Sequence, residues 1–352
     1  MKFTRRPERP PQAEGLPHQA WVVILDWTTW LAVMALFLTG CGGYREFTLP
    51  LQGVEPPRVS IEWNPSADPV LTRGAAGEWD SGDVLNPSVI RSPTGYLNLY
   101  SGFDGKSWRT GLATSPDGML WHKAGPVLAP SGNGDGYIAA NGSVVVFKNE
   151  LLYCYQSGRT PRILLARGPS PWRTDAAPIL LPGPRGSWDE EGVADPYMVE
   201  SGGSVYMYYL GMDRARRQRL GVAVSSDAVT WHKLRSNPIL ELGGYGAFDE
   251  NGLGEPAVWS MHGSYWMLYT GRARSERRQM GIASSIDGVH WTKLPNILTG
   301  DQPWNAQTVC DPTVIVEGDR VRVWFGGGDV ARPDENIHGQ IGYGELSIRP
   351  VR

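Results

Sequence analysis

Residues 192–199 read GVADPYMV, with an acid, Asp195, set directly before Pro196 at the head of an apolar, β-prone run. Related stretches recur as LNPSVI from Leu85, ANGSVV from Ala140, LGEPAV from Leu253 and CDPTVI from Cys310. Marking the residue after the variable polar position gives Pro87, Gly142, Pro196, Pro256 and Pro312, spaced by 55, 54, 60 and 56 residues. Self-similarity at a fixed period of this length marks a repeat architecture, in which no unit can bury its faces alone.

The rest of the unit follows from the marker. Eight residues before it stands an aromatic and then a polar residue: Trp79-Asp80, Trp188-Asp189, Phe248-Asp249 and Trp304-Asn305, with Gly134-Asp135 in the second copy. After it comes an aromatic-rich alternating run: YLNLYSG from Tyr96, LLYCYQSG from Leu151, VYMYYLG from Val205, YWMLYTG from Tyr265 and VRVWFGG from Val321. Such composition and alternation predict strands. A third strand and tight turn recur as GLATSPDGMLWHK from Gly111, GVAVSSDAVTWHK from Gly221 and GIASSIDGVHWTK from Gly281, each leading into a Trp-containing fourth strand. Four antiparallel strands repeated in this way predict an all-β protein, a five-bladed β-propeller over residues 58–352. The last unit ends at GQIGYGELSI without a fourth strand, whereas SIEWNPSADPVL, from Ser60, matches VTWHKLRSNPIL, from Val229. The N-terminal strand is therefore expected to complete the last blade and close the ring.

The chain has 352 residues, 41% of them hydrophobic, with 44 Gly, 28 Pro and 15 Trp, enough for a real core built of short strands and many turns. A net charge of -3 and the absence of a long basic block exclude a general nucleic-acid binder, which needs concentrated positive charge. The first 40 residues differ in kind. Lys2, Arg5, Arg6 and Arg9 precede an apolar run from Trp27 to Leu38 that is short for a membrane span, the layout of a signal peptide. The run ends in Leu38-Thr39-Gly40-Cys41, which resembles the lipobox of bacterial lipoproteins. The resemblance implies an exported protein, lipid-anchored to the cell envelope through Cys41, with residues 41–57 as a linker; an uncleaved hydrophobic anchor is the competing reading. Cys154 and Cys310 fall in non-neighbouring repeats, so they are expected as buried thiols rather than a disulfide.

The variable position carries Asn86, Asn141, Asp195, Glu255 and Asp311. A purely architectural role would ask each repeat for one side chain, as the residue after the aromatic does; two amides and three acids point to site-specific chemistry. The alternative is that they cap strand entries, where Asn and Asp interchange. Carboxyls converging on one axis repel when ionised, which raises at least one pKa and suits proton donation in glycosidic cleavage.

On these motifs the chain resembles the five-bladed glycoside hydrolase superfamily that includes families 32, 43, 68 and 130, over residues 58 to 348. ADPY at Asp195 is similar to the family's stabilising Asp stretch and GEPA at Glu255 to its acid Glu. The first acid of the series falls on Asn141, which cannot act as a base, and Asp311 stands in for it. LNPSVI, GVADP and the GGGD ending at Asp329 resemble family 130 in part. The resemblance implies cleavage of a glycosidic bond, by inversion, with Glu255 protonating the leaving oxygen, Asp195 tuning it and Asp311 activating water. Inversion requires the two acting carboxyls about 6.5–9.5 Å apart, retention about 5–5.5 Å.

Loops expected at the same face are basic, with Arg214, Arg216, Arg217 and Arg219 in the third repeat and Arg272, Arg274, Arg277 and Arg278 in the fourth. Arg forks suit carboxylate, sulfate or phosphate, so the carbohydrate partner can be anionic; solvated loop charge is the bland reading. Arg109 and His338 hold comparable loops, His338 as a proton carrier or metal ligand, and Trp108 is the candidate for stacking on a sugar. Arg214 and Arg272 of those loops, with Trp108, Arg109, His338, Asn86, Asn141 and Asp329, form the expected substrate-binding set; no cofactor and no resident metal are assigned. Two further readings stay open, a non-catalytic glycan-binding propeller and a glycoside phosphorylase.

Overall fold

The computed structural model describes residues 43–132, 136–169 and 171–351. The leader, Cys41 and the Gly134-Asp135 pair lie outside the described residues. From Gly43 onward the chain forms one compact unit, made of strands and a single short 3-10 turn, Pro303–Asn305, among the described residues. No described helix is long and apolar enough to cross a membrane.

In chain order the strands are β1 (Tyr44–Arg45), β2 (Val59–Pro65), β3 (Asp83–Ser92), β4 (Gly95–Phe103), β5 (Trp108–Ser115), β6 (His122–Leu128), β7 (Ile138–Phe147), β8 (Glu150–Ser157), β9 (Arg162–Arg167) and β10 (Arg173–Thr174). They continue with β11 (Gly192–Ser201), β12 (Ser204–Met212), β13 (Gln218–Ser225), β14 (His232–Leu234), β15 (Gly252–Met261), β16 (Ser264–Arg272), β17 (Arg278–Ser285), β18 (Thr292–Leu298), β19 (Thr308–Glu317), β20 (Arg320–Gly328) and β21 (Gln340–Pro350). Consecutive strands pair antiparallel in runs: β3 to β6, β7 to β10, β11 to β14 and β15 to β18. The last run, β19 to β21, takes its fourth strand from the other end of the chain. There β2 pairs antiparallel with β21 from Val59↔Pro350 to Pro65↔Gly344. The first strands of the runs pack in succession, β3 on β7, β7 on β11, β11 on β15, β15 on β19 and β19 on β3.

The repeated residues are the adhesive. The Trp79 ring lies where a Cβ on Gly102 or Gly111 would fall, at 2.3 and 2.4 Å, and Trp188 is set the same way against Gly211 and Gly221. Only glycine lets these strands approach the ring so closely. The residue after each aromatic is buried: Asp80, Asp189, Asp249 and Asn305. Each of the three acids accepts a fourth-strand lysine, at 2.7 Å from Lys123 to Asp80 and 2.5 Å from both Lys233 to Asp189 and Lys293 to Asp249. Each also accepts a tyrosine hydroxyl from the second strand, Tyr100, Tyr209 or Tyr269. A buried charge is tolerated when paired and hydrogen-bonded in this way.

Cys154 and Cys310 are free, buried thiols. The stretch expected as a linker behaves otherwise. Tyr44 and Arg45 pair in parallel with Lys233 and Leu234 of β14. Leu49 is 1% exposed within the cluster around Tyr208 and Tyr265, and its amide donates to the Asp287 carbonyl at 2.8 Å. The segment through Gln52 is thus a strap across the third and fourth runs, bound because it offers both apolar side chains and ladder hydrogen bonds.

Candidate active site

Each variable residue is the fourth of a ten-residue strand: Asn86 in β3, Asn141 in β7, Asp195 in β11, Glu255 in β15 and Asp311 in β19. They do not open their strands, as expected from the sequence, but sit at bulges where the ladder to the second strand skips, between Leu85 and Ser88 and at the four equivalent places. All five adopt left-handed backbone, with φ between 46 and 53°. That conformation costs a non-glycine residue about 1–3 kcal/mol, least for Asn and Asp and more for Glu255. The ladders on either side of the bulge impose it, and the bulge turns each side chain out of the sheet alternation. Backbone geometry is thus shared by all five repeats, while side-chain chemistry is particular to each.

The five meet. The Asn86 amide donates to Asp311 Oδ2 at 3.2 Å, and the Asp311 amide donates to Glu255 Oε2 at 3.4 Å and to Thr270 Oγ1 at 3.2 Å. Asn141 Nδ2 donates to Asp195 Oδ1 and to Gln156 Oε1, both at 3.4 Å, while Ser101 Oγ accepts the Asn141 amide at 2.9 Å. With the following Pro or Gly they surround a small space of about 30 Å³, and above it all five line the floor of a cavity of about 400 Å³.

Burial, and then the neighbouring Glu255, push the Asp195 carboxyl from its ordinary value of 3.8 up to about 8; the Asn141 amide and the Arg278 guanidinium oppose the rise. The same two causes push Asp311 well above the carboxylate range. Asp311 is 5% exposed, and besides the Asn86 amide its Oδ2 accepts the Cys310 thiol at 3.2 Å. Single donor atoms of Glu255, Cys310 and Asp311 lie within 4.8 Å of one another, the set among the described residues that could face one cation. Burial, Asp311 and Glu255 push the Cys310 thiol well above its ordinary value.

This spacing bears on mechanism. A carboxylate oxygen of Glu255 and one of Asp311 lie within 4.8 Å of each other, close for the acid and base of an inverting pair.

Of the expected substrate-binding residues, Asn86, Asn141, Trp108 and Arg272 line the cavity, and Arg109, Arg214, Asp329 and His338 are not among its lining. Arg109 is tied to Asp104 at 2.8 Å, Arg214 to Glu190 at 2.8 Å, and His338 Nδ1 to Asp329 at 2.8 Å on the surface. Trp108 is only 5% exposed, stacked on Phe103 with centroids 4.9 Å apart, which leaves little ring face for a sugar.

Sequence reasoning missed the opposite wall. Residues 332–339, between β20 and β21, are pinned over the cavity: Arg278 Nη2 donates to the Arg332 and Pro333 carbonyls. The amides of Asn336, Ile337 and Gly339 donate to the buried Asp83 carboxylate at 2.6, 3.1 and 2.7 Å. Glu335 accepts Trp108 Nε1 at 3.1 Å, and both Asp334 and Glu335 line the cavity. The repeat placed this loop, through His338, but not its hold on the cavity, which Asp83 and Arg278 set.

No family model matches the chain. Two uncharacterized proteins of Mycobacterium tuberculosis, from strains CDC 1551 / Oshkosh and ATCC 25618 / H37Rv, are each 28% identical over 229 residues, spanning 59% of this chain and 75% of theirs. Among solved structures, the β-1,2-mannobiose phosphorylase from Listeria innocua has a TM-score of 0.64 at 12% identity, covering 81% of this chain and 96% of its own. A protein described as a glycoside hydrolase gives 0.63 at 16%, covering 89% and 94%. A thermostable family-43 glycoside hydrolase gives 0.58 at 17%, covering 79% and 91%. At these identities the likeness is one of fold: the chain shares the all-β architecture of propeller-type glycoside hydrolases.

Proposed function

We propose that the protein is a glycan-active enzyme, a five-bladed β-propeller that cleaves a glycosidic bond over the floor of its axial cavity. The observation that carries this reading is the convergence of Asp195, Glu255 and Asp311, from three separate repeats, on one cavity, with Asp195 holding its proton to about pH 8. A carboxyl that stays protonated at neutral pH can donate to a leaving oxygen, a contribution of about 10²–10⁴ in rate. Asp195 therefore takes the donor role here, rather than the Glu255 expected from the resemblance. Glu255 is half-buried and its charge acts on both aspartates, the position for a partner that stabilises developing positive charge on the sugar. Asp311, its Oδ2 engaged by a backbone amide and a thiol, positions and tunes these two.

The five-blade reading is supported by the successive packing of the first strands and by the β2–β21 pairing. Export and lipid attachment at Cys41 belong to the same proposal, supported by the order of basic residues, apolar run and LTGC in the leader. Product analysis on a panel of poly- and oligosaccharides tests the function, with the unmutated protein, Asp195→Asn and Glu255→Gln, each with and without inorganic phosphate. Cleavage lost in both variants supports the proposal. Cleavage that requires phosphate makes the enzyme a phosphorylase, and glycan binding without turnover by the unmutated protein makes it a binding module.

A further inference from the structure

Four arginines line the cavity, Arg159, Arg216, Arg272 and Arg278. Two are engaged by the protein itself: Arg272 pairs with Glu276 at 3.2 Å, and Arg278 holds the carbonyls of Arg332 and Pro333. Arg159 and Arg216 are exposed, and neither guanidinium makes a hydrogen bond or ion pair among the described residues. They lie in equivalent loops of consecutive repeats, between β8 and β9 and between β12 and β13.

The second of these loops and the start of β13 show selection among their arginines. Asp213 and its surroundings neutralise three of them: Arg217 at 2.8 Å from Asp213, Arg219 at 3.2 Å from Asp213 and 3.3 Å from Glu241, and Arg214 at 2.8 Å from Glu190. Those three line a separate surface depression. Arg216 occupies the left-handed position of the turn, at φ 60°, closed by its amide on the Asp213 carbonyl at 2.8 Å, and alone of the four it borders the cavity. Glu191 is also at this cavity and makes no ion pair with either free arginine among the described residues.

The cavity therefore has acids on its floor, acids on the 332–335 wall and two uncompensated guanidiniums in the second and third repeats. A neutral sugar leaves that positive charge unused. Resting on the glycan-active reading above, we infer that the substrate is an anionic glycan, whose carboxylate or sulfate is gripped by Arg159 and Arg216 while its glycosidic bond lies over Asp195 and Glu255. Guanidinium forks bind such oxyanions in pairs of charge-assisted hydrogen bonds, and the anion is kept away from the carboxyl floor, where like charge repels. Free phosphate offers the same oxyanion chemistry, and the experiment separates the sources.

The test is binding by calorimetry to the whole folded protein, which needs no turnover. The probes are oligogalacturonate against its carboxyl-reduced form, sulfated against unsulfated dextran oligosaccharide, and inorganic phosphate alone. At least one acidic probe is expected to bind about tenfold or more tightly than its neutral partner. Arg159→Gln with Arg216→Gln is expected to remove that preference, a loss of about tenfold or more for a charge-assisted contact, with the melting temperature unchanged. Arg214→Gln with Arg217→Gln, in the separate depression, is the control for unspecific polyanion attraction and leaves the preference intact. Phosphate binding lost in the first double variant, without any preference for acidic glycans, assigns the oxyanion grip to free phosphate and overturns the anionic-glycan inference. Equal affinity for charged and neutral partners, failure of both acidic probes to bind, or an acidic preference that survives the first double variant also overturns it. Absence of cleavage, with the acidic preference and its loss both observed, overturns only the enzymatic reading.

Discussion

A carboxyl that keeps its proton to about pH 8 makes Asp195 a reporter on the whole site, because its charge state differs between the folded and unfolded chain. Between its ordinary value of 3.8 and about 8 the folded protein binds the extra proton. Stability contributed by this group is therefore undiminished below the lower value and is lost as pH rises towards the upper one. Melting curves from pH 5 to 8 are expected to show a steeper decline for the unmutated protein than for Asp195→Asn, in which no proton titrates there. Parallel slopes in the two proteins overturn the assignment. The same variant is expected to lower kcat by about 10²–10⁴ on the substrate found by panel screening, the range of a lost general acid. The position of this residue was legible in the sequence because Asp195, Glu255 and Asp311 break an otherwise regular repeat. Its role was not, since the bulge and the burial that set its pKa arise from strands far apart in the chain.

Among the elements, the strap from Tyr44 to Gln52 has the clearest energetic signature. Leu49 is 1% exposed, whereas Leu51, two residues on, is 70% exposed. Leu49→Ala is expected to destabilise by about 2–5 kcal/mol, as buried leucines do, and Leu51→Ala to change stability by no more than about 0.5 kcal/mol; urea unfolding compares them. β14 supplies a second case. Lys233→Met leaves the Asp189 carboxylate buried at 0% exposure without its cation, a loss of about 3–5 kcal/mol by the same measurement. Sequence periodicity could see β14, because Trp231, His232 and Lys233 recur in other repeats. It could not see the strap, which occurs once, or what the 332–339 loop is fastened to, because their partners, β14, Asp287, Asp83 and Arg278, are dictated by tertiary approach.

At the scale of the molecule, the pairing of β2 with β21 joins the two ends of the chain, and a prediction follows from its register. Val59 lies opposite Pro350, and the Val351 amide donates to the Arg58 carbonyl at 2.8 Å, so residues 58 and 351 stand at the open end of an antiparallel pair. An Asn-Gly link from Val351 to Arg58 matches the twist of such a pair as a two-residue hairpin. New termini can be placed beside Tyr245, which is 91% exposed in a surface loop. This permutant of residues 58–351 is expected to melt in one transition, within a few degrees of the linear fragment with the same residues, since the cut interrupts only the surface turn closed by the Ala247 amide on the Gly244 carbonyl. Deleting residues 58–66 from the linear fragment removes Trp63, whose ring meets Phe325 at 5.7 Å, and leaves β21 as an unpaired edge. Truncating such an aromatic alone costs about 3–5 kcal/mol, and a bare edge invites aggregation. A permutant that fails to fold while the linear fragment folds would mean that the two ends do not meet as a sheet, and the proposed five-bladed closure would fall with that pairing.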